Sequence, residues 1–535
     1  MGRGVRISSV IVACVLLAAS CAHDNIEKVI TPVARLRSVA LEASTIVLPP
    51  EGADEMPFRV RDAEFEFNYD VSSPDCQVRL RCTDGSAPKL FRLLNVIKVD
   101  DTGLYKAVVA DNGIDPDYVE RVCVTLVLRG AGGVESYVPT DFFEVRSEAA
   151  GYGLLIKTGL PVIYLETDGG KKINSKTTFV QGSMRIKGYG GYDSQRNMRC
   201  SVRGRGNTTW SWPKKPYLVK FDEKQSLLGM PEHKRWVLLA NFMDRTLMRN
   251  LVSMKVASMT SLAWTPRCVP VELVLNNQHV GSYLLIEQVR VSEKRVNISK
   301  KDGYLVELDF HYDNEVQWKD PHGGGIPFGV KHPDPDSITT AQKQYIKDYI
   351  YNAAEILYGP DFTDPERGYA DWIDVDSFVD YWIVYEVMGN HELGNPGSVF
   401  FHKDGSGKLV AGPCWDFDWG VLSYNTSPHA RTGFVNRNAI WYARLFQDPA
   451  FAKKVRDRFF ELKPQLETIP AYIDDCQRLL EKSAELNFAM WNPAEDRSQN
   501  GGRIINGDEN MSFADAVARL RSIYQERLEV MSAKL

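Results

Sequence analysis

The apolar period of this chain changes from two to 3.6 along its length. A segment can bury only the face that its period creates. Between about residues 35 and 148 the alternation is two. Phe65, Phe67, Tyr69 and Val71 interleave with Glu64, Glu66, Asn68 and Asp70, and Val122, Val124, Leu126 and Leu128 repeat the pattern. Val78 and Leu80 alternate with arginines, and turn signals stand between the runs at Ser73-Pro74, Asp84-Gly85, Asp111-Asn112-Gly113 and Gly130-Ala131-Gly132-Gly133. Short strands with frequent turns and no helical pattern predict an immunoglobulin-like β-sandwich over 35–148. No chemistry-bearing cluster lies in it, so a spacer or partner-binding module is expected.

A glycine-containing linker, Ala149-Ala150-Gly151-Tyr152-Gly153, leads into a mixed region. Strands are predicted near 160–165, 178–186, 198–203, 217–221, 236–240, 271–275 and 280–286, the last two forming a hairpin around Asn276-Asn277. Asp244 is expected to open a helix, with Leu247, Leu251 and Met254 on one face. From Thr340 the period becomes helical, over about 340–357, 375–389, 449–466, 470–487 and 512–532, with Ser512 and Asp515 as a capping pair. The predicted class is multi-domain. An all-β sandwich precedes an α+β body over 155–535, with strands early and helices late. A chain of 535 residues is long enough for more than one such unit.

The start of the chain reads as an export signal. Arg3 and Arg6 precede the apolar run Val10 to Ala19, and Ser20-Cys21 follows. Leu17-Ala18-Ala19-Ser20-Cys21 resembles a bacterial lipobox, with leucine one place further from the cysteine than usual. The expectation is a leader over 1–21, lipid on Cys21, a polar tether over 22–34, and an exported lipoprotein anchored at the outer membrane or cell surface. No later stretch reaches about 18 uninterrupted apolar residues. The formal net charge of −5 gives no argument for nucleic acid. Nine cysteines without a C-x-x-C pair give none for zinc or redox work. Cys76 and Cys82 share a predicted strand, and six residues of strand span about 20 Å, so they cannot bond there.

The chemistry concentrates at Cys414-Trp415-Asp416-Phe417-Asp418-Trp419-Gly420, after a predicted strand at Lys408-Leu409-Val410 and a turn at Gly412-Pro413. In an extended segment Asp416 and Asp418 face one side and Phe417 the other. A bare D-x-D is usually a solvated turn. Flanking tryptophans argue against exposure, and carboxylates held among aromatics need a cation or strong donors. Two hard oxygen ligands suit Mg²⁺ or Ca²⁺.

Four other stretches stand out. Arg203 to Trp210, followed by Lys214-Lys215-Pro216-Tyr217-Leu218-Val219-Lys220, is a basic, glycine-containing loop entering a strand. Such a loop lets backbone approach phosphate, although most are solvated turns, and the Walker pattern is absent. Asn241 to Asn250 holds Asp244 and Arg249, which either cap and anchor a helix or reach a shared site. Glu287 ends an apolar strand, either as a polar strand end or paired with a lysine. The loop Gly389 to Ser398 follows an apolar helix and carries Glu392, 24 residues before Asp416. A loop acid, a strand, a turn and a metal-binding acid occur in that order in protein kinases.

Together, Arg205-Gly206-Asn207-Thr208-Thr209-Trp210, Lys214 to Phe221, Leu227-Leu228-Gly229-Met230-Pro231, Trp236 to Asn250, Gly281 to Gln288 and Trp415 to Gly420 resemble the spore-coat protein H (CotH) kinase family. The resemblance covers about residues 160–450 and leaves the N-terminal sandwich outside. It implies a divergent, atypical protein-kinase-like fold that moves the γ-phosphoryl group of ATP to a protein hydroxyl with Mg²⁺ or Mn²⁺. On that model Asp416 and Asp418 hold the metal, and Glu392 with Asp416 is catalytic. Lys220 or Lys215 contacts phosphates beside Arg205 and Asn207, and Asp244, Arg249 and Glu287 order the site. Two departures follow: Glu392 stands where the family has aspartate, and Ser398 where it commonly has asparagine. Two other readings compete. One is a non-catalytic surface protein that binds nucleotide, metal or glycan. The other is a metal-dependent hydrolase built on Asp416 and Asp418.

Overall fold

A computed structural model describes nine N-terminal strands, residue 156, residues 158–492 apart from 190 and 313, and residues 505–535. The leader, Cys21, the tether up to residue 33 and the linker lie outside the described residues. The chain divides into two compact units, Met1–Gly151 and Tyr152–Leu535.

The first unit contains β1 (Ala34–Leu41), β2 (Thr45–Leu48), β3 (Glu55–Phe67), β4 (Cys76–Asp84), β5 (Phe91–Lys98), β6 (Leu104–Val108), β7 (Val119–Arg129), β8 (Glu135–Pro139) and β9 (Phe143–Ser147). They are hydrogen-bonded in the order β1-β3-β6-β5-β4-β7-β9-β2, with β8 on β7. All pair antiparallel except β2 with β9. Cys76 and Cys82 lie on the one strand β4.

The second unit begins with a closed barrel. Its strands are β10 (Val162–Thr167), β11 (Val180–Lys187), β12 (Gln195–Gly204), β13 (Tyr217–Gln225), β14 (His233–Leu239), β15 (Cys268–Leu275) and β16 (Gln278–Glu287). The order is β10-β11-β12-β13-β14-β16-β15, and the parallel pairing of β10 with β15 closes it. Between strands lie the single-turn α1 (Thr208–Ser211) and α2 (Arg249–Ala257). Val202, Val219, Phe221, Trp236, Leu238 and Leu285 fill the interior. Leu218, Val237, Leu239, Leu284 and Ile286 point outward into the larger core shared with the helices. That double burial explains why Tyr217 to Val219 and Trp236 to Leu239 read as continuous apolar runs rather than alternations. The hairpin turn at Asn276-Asn277 has φ of 48° and 61°, the left-handed pair that asparagine tolerates best among side-chain-bearing residues.

Beyond the barrel comes a five-stranded sheet in the order β18-β19-β17-β20-β21. Its strands are β17 (Tyr304–Leu308), β18 (Gln317–Asp320), β19 (Ile326–His332), β20 (Val399–Lys403) and β21 (Leu409–Ala411). The sequence reading missed β17 to β19. Tyr304 to Leu308 is buried at every position, so it lacks the alternation used to recognise strands. The helices are α3 (Thr340–Tyr358), α4 (Val375–Val387), α5 (Tyr442–Leu445), α6 (Pro449–Leu466), α7 (Ile469–Met490) and α8 (Phe513–Lys534). Side chains start several of them. Thr339 and Gln342 form a capping box on α3, Asp374 accepts from the Ser377 amide, and Ser512 accepts from the Asp515 amide. Helix α4 is buried on all sides from Ser377 to Val387, as expected of an apolar helix without a polar face.

Helix α2 begins at Arg249 rather than at Asp244. The Asp244 carboxylate accepts from the amides of Thr246 and Arg249 at 2.9 and 2.8 Å. It thereby gathers residues 244–248 into a turn in which Leu247 has φ of 57°. Asp244 still caps the helix, through a longer reach.

Candidate active site

Strand β21 delivers the chain into the acidic loop, which two asparagines pin. The Phe417 amide donates to Asn250 Oδ1 at 2.8 Å, and the Gly420 amide donates to Asn506 Oδ1 at 2.9 Å. Phe417 is buried against Tyr385 of α4, ring centroids 4.7 Å apart. Gly420 has φ of 69°, and a Cβ there would meet Thr426 Oγ1 at 2.4 Å and the His391 ring at 2.9 Å. Only glycine fits that approach. The loop is not extended. Asp416 has φ of 65°, so simple alternation does not place the two carboxyls. They meet because the backbone turns at Asp416, and the two side chains come within hydrogen-bonding range of each other.

Two adjacent carboxyls need a shared proton or a cation. Burial pushes the Asp418 carboxyl well above its ordinary range, and Asp416 and Asp244 push it further, while Arg205 opposes them. The Arg205 guanidinium lies over the Trp415 ring at 5.6 Å. Glu392 enters from the loop after α4. Its amide donates to Asn390 Oδ1 at 2.9 Å, and its Oε2 is buried with no hydrogen-bond partner. Burial raises Glu392 well above the usual carboxylate range, and Asp416, Asp418 and Asp309 add to the shift. Asn390 is held in turn. Its carbonyl accepts from Asn436 at 2.8 Å, and the Asn436 amide donates to the buried Glu386, which pairs with Arg527 at 2.7 Å.

Arg249 is the second cation of the site and is fully committed. Its guanidinium bridges Asp244 and Asp508 at 2.5 Å each, and Nε donates to the Val421 carbonyl at 2.8 Å. All three charged groups are at most 1% exposed. The carboxylates hold Arg249 above its ordinary value although burial opposes them. With Arg249 so occupied, Arg205 is the one of these two whose charge acts on Asp418.

The remaining expected site residues sit elsewhere. Asn207 is exposed before α1 and accepts from Lys176 at 3.4 Å. The Lys215 ammonium donates to the Trp210 carbonyl at 2.8 Å. Lys220 is exposed on the outer barrel face. Glu287 is buried and accepts from the Arg267 amide at 2.9 Å, with the Arg295 guanidinium at 3.9 Å. Its partners are arginines, not a lysine. Burial raises Glu287, which the hydrogen bond from Arg267 and both arginine charges oppose. The buried lysine is Lys214, whose ammonium donates to the carbonyls of Ala240 and Ser282 and to Asn487 Oδ1 at 2.7 Å. Burial lowers it to about 7.

Sequence reading missed Asp309, Asn506 and Asp508. The last two lie far along the chain after α7, in a stretch without a motif. The Asn506 amide group reaches the Met243 and Asp418 carbonyls at 3.0 and 3.3 Å. Nothing local marks a residue whose partners are more than 80 positions away.

Among the described residues, no group of three or more His, Cys, Asp or Glu side chains converges as a metal cage. The acidic loop instead offers two oxygen donors, with the unpartnered Glu392 Oε2 within their electrostatic range. That suits Mg²⁺, which commonly takes one or two carboxylates and completes its shell with water and substrate phosphate. The donor set fits a hard divalent cation.

No curated protein matches the chain. A family model described as CotH kinase protein matches residues 202–531, more than half of the chain, from the end of β12 into α8. It includes every element that shapes the acidic loop, and the chain therefore belongs to the CotH kinase protein family.

Proposed function

We propose that the protein is an exported, lipid-anchored atypical kinase that transfers the γ-phosphoryl group of ATP to a serine or threonine hydroxyl of a protein. The observation that carries this reading is the Asp416 and Asp418 pair with the buried Glu392 in its electrostatic range, in the element order helix, loop acid, two strands, acidic loop. Asp416 and Asp418 would hold Mg²⁺ or Mn²⁺, whose charge offsets that of the phosphates when bound. Glu392, kept protonatable by burial, is suited to take the proton of the attacking hydroxyl. Arg205 balances charge beside the pair, and the Arg249 bridge keeps the loop in place. Ser398 has φ of 57°, a conformation in which asparagine is commoner, and serine is the poorer magnesium ligand. That residue favours a second reading, in which the same site binds nucleotide but turns over slowly.

Thermal unfolding tests the metal assignment. Mg²⁺ or Mn²⁺ is expected to raise the melting temperature, and ATP to raise it further, because each binds only the folded state. Asp416→Ala is expected to remove the metal effect. A wild-type melting temperature indifferent to both cations would defeat the assignment.

The first unit is read as an immunoglobulin-like spacer. Its β1-β3-β6 and β4-β7-β9 neighbourhoods support that reading by their likeness to the ABE and CFG strand orders, with β5 joining the two into one continuous sheet. For the anchor, Cys21→Ser is expected to move the mature chain from the membrane to the soluble fraction, read by fractionation and blotting. Unchanged partition would exclude lipid on Cys21.

A further inference from the structure

We infer that Lys214, buried between the barrel and helix α7, is a positioning residue for the acidic loop. The hold itself rests on hydrogen bonds, and only its importance for metal binding and turnover rests on the kinase reading.

Lys214 lies between α1 and β13, outside any strand, yet it is 1% exposed. Burying an ammonium is costly unless its N–H groups find acceptors. Three elements supply them: the Ala240 carbonyl just after β14, the Ser282 carbonyl of β16 and Asn487 Oδ1 of α7, the first and last at 2.9 and 2.7 Å. An ammonium has three donors, so the match is complete. The Tyr283 ring lies under the cation at 4.5 Å. Asn487 Oδ1 also accepts from the Ser282 amide at 3.2 Å. Gly281 makes that approach possible, because a Cβ there would stand 2.6 Å from the same oxygen. Methionine would fill the space without a charge to bury, so the lysine is accounted for by its donors rather than by its bulk.

The Ala240 carbonyl is the root of the segment that carries both pins of the acidic loop. Asn241, the next residue, has φ of 46°. Its side chain donates to the Leu247 carbonyl at 3.2 Å and accepts from Asn250 at 3.4 Å. Asn250 in turn accepts from the Phe417 amide at 2.8 Å. The second path starts at the Met243 carbonyl, which accepts from Asn506, whose Oδ1 accepts from the Gly420 amide. Both paths thus leave the chain between Ala240 and Met243, beside the one carbonyl that Lys214 ties to α7 and β16. Releasing that carbonyl would let the root of both pins shift, and the loop with it.

Hydrogen exchange of the full-length, metal-free protein reads the hold at the Phe417 and Gly420 amides, with the amides of α6 as reference. Lys214→Met is expected to speed exchange at the loop at least about tenfold relative to α6, the usual scale for hydrogen bonds made by a charged group. Asn250→Ala is expected to act in the same direction, and the double variant to be no faster than the faster single one, because both lie on one path. Asn487→Ala, which keeps the lysine and its two carbonyls, is expected to speed the loop about threefold to tenfold. Thr339→Ala, at the start of α3, is expected to leave the loop unchanged. Calorimetry with Mn²⁺ alone is expected to show about tenfold weaker binding in Lys214→Met. Equal acceleration at the loop and at α6, with the effects of Lys214→Met and Asn250→Ala adding, would make Lys214 an ordinary structural residue and overturn the inference. Should Lys214→Met fail to fold, unchanged loop exchange in Asn487→Ala overturns it. Loop-specific acceleration in a protein that binds no Mn²⁺ keeps the positioning role and removes the metal assignment.

Discussion

Arg249→Met is expected to cost the second unit about 3–5 kcal/mol, the usual penalty for removing one partner of a buried ion pair. The substitution keeps most of the side-chain volume, so the loss is electrostatic rather than a cavity. Asp244 and Asp508 would remain buried without their shared cation, 2.5 Å away from each in the native protein. Val421 would lose a donor as well, so the acidic loop would slacken and metal-dependent stabilisation would fall. Denaturant unfolding at neutral pH measures the first effect. Adding Asp244→Asn and Asp508→Asn to Arg249→Met is expected to recover part of it, since neutral amides are cheaper to bury than unpaired anions. A loss below about 1 kcal/mol would mean that water reaches the triad and that it does not anchor the loop.

Glu392→Gln is expected to separate stability from turnover. Glu392 and Asp418 are both held above their ordinary range in the folded protein. As pH rises past the unfolded carboxylate value, about 4.3 for glutamate, the unfolded chain releases its protons while these two groups keep theirs. Metal-free stability therefore falls as pH rises from about 5 toward the raised native values. A divalent cation should offset that fall by favouring the ionised pair. Glu392→Gln removes one contributor, so the metal-free protein should gain on the order of 1 kcal/mol at pH 7 to 8 and show a flatter pH profile. Metal-induced stabilisation should persist, because Asp416 and Asp418 remain. Turnover should drop about 10²- to 10⁴-fold, the usual contribution of a positioned base. Glu392→Asp, which restores the residue that the family commonly has, should preserve or raise activity if side-chain length limits the rate. Full activity in Glu392→Gln would remove Glu392 from the proton-transfer role.

Local sequence determined most of the elements and little of their assembly. Period two marked the N-terminal strands, period 3.6 the long C-terminal helices, and Asn276-Asn277 the hairpin, because each is written in neighbouring residues. The acidic pair was legible for the same reason: two carboxylates among aromatics are costly unless something compensates them. Chain contacts at long separation were not legible. The strands β17 and β19 lack alternation because both their faces are covered over most of their length, and the short β18 carries no pattern of its own. Asp508 and Asn506 have no motif, yet they hold Arg249 and the Gly420 turn from more than 80 residues away. The left-handed turn at Asp416 overrode the extended geometry that alternation implies, and Asn250 and Asn506 hold the Phe417 and Gly420 amides that follow it. The family resemblance marks Lys220 as a phosphate contact, but nothing local tells what faces it across the sheet. Only the register of β13 on β14 set it opposite Arg235, since cross-strand pairing is decided by closure of the barrel and not by either strand alone.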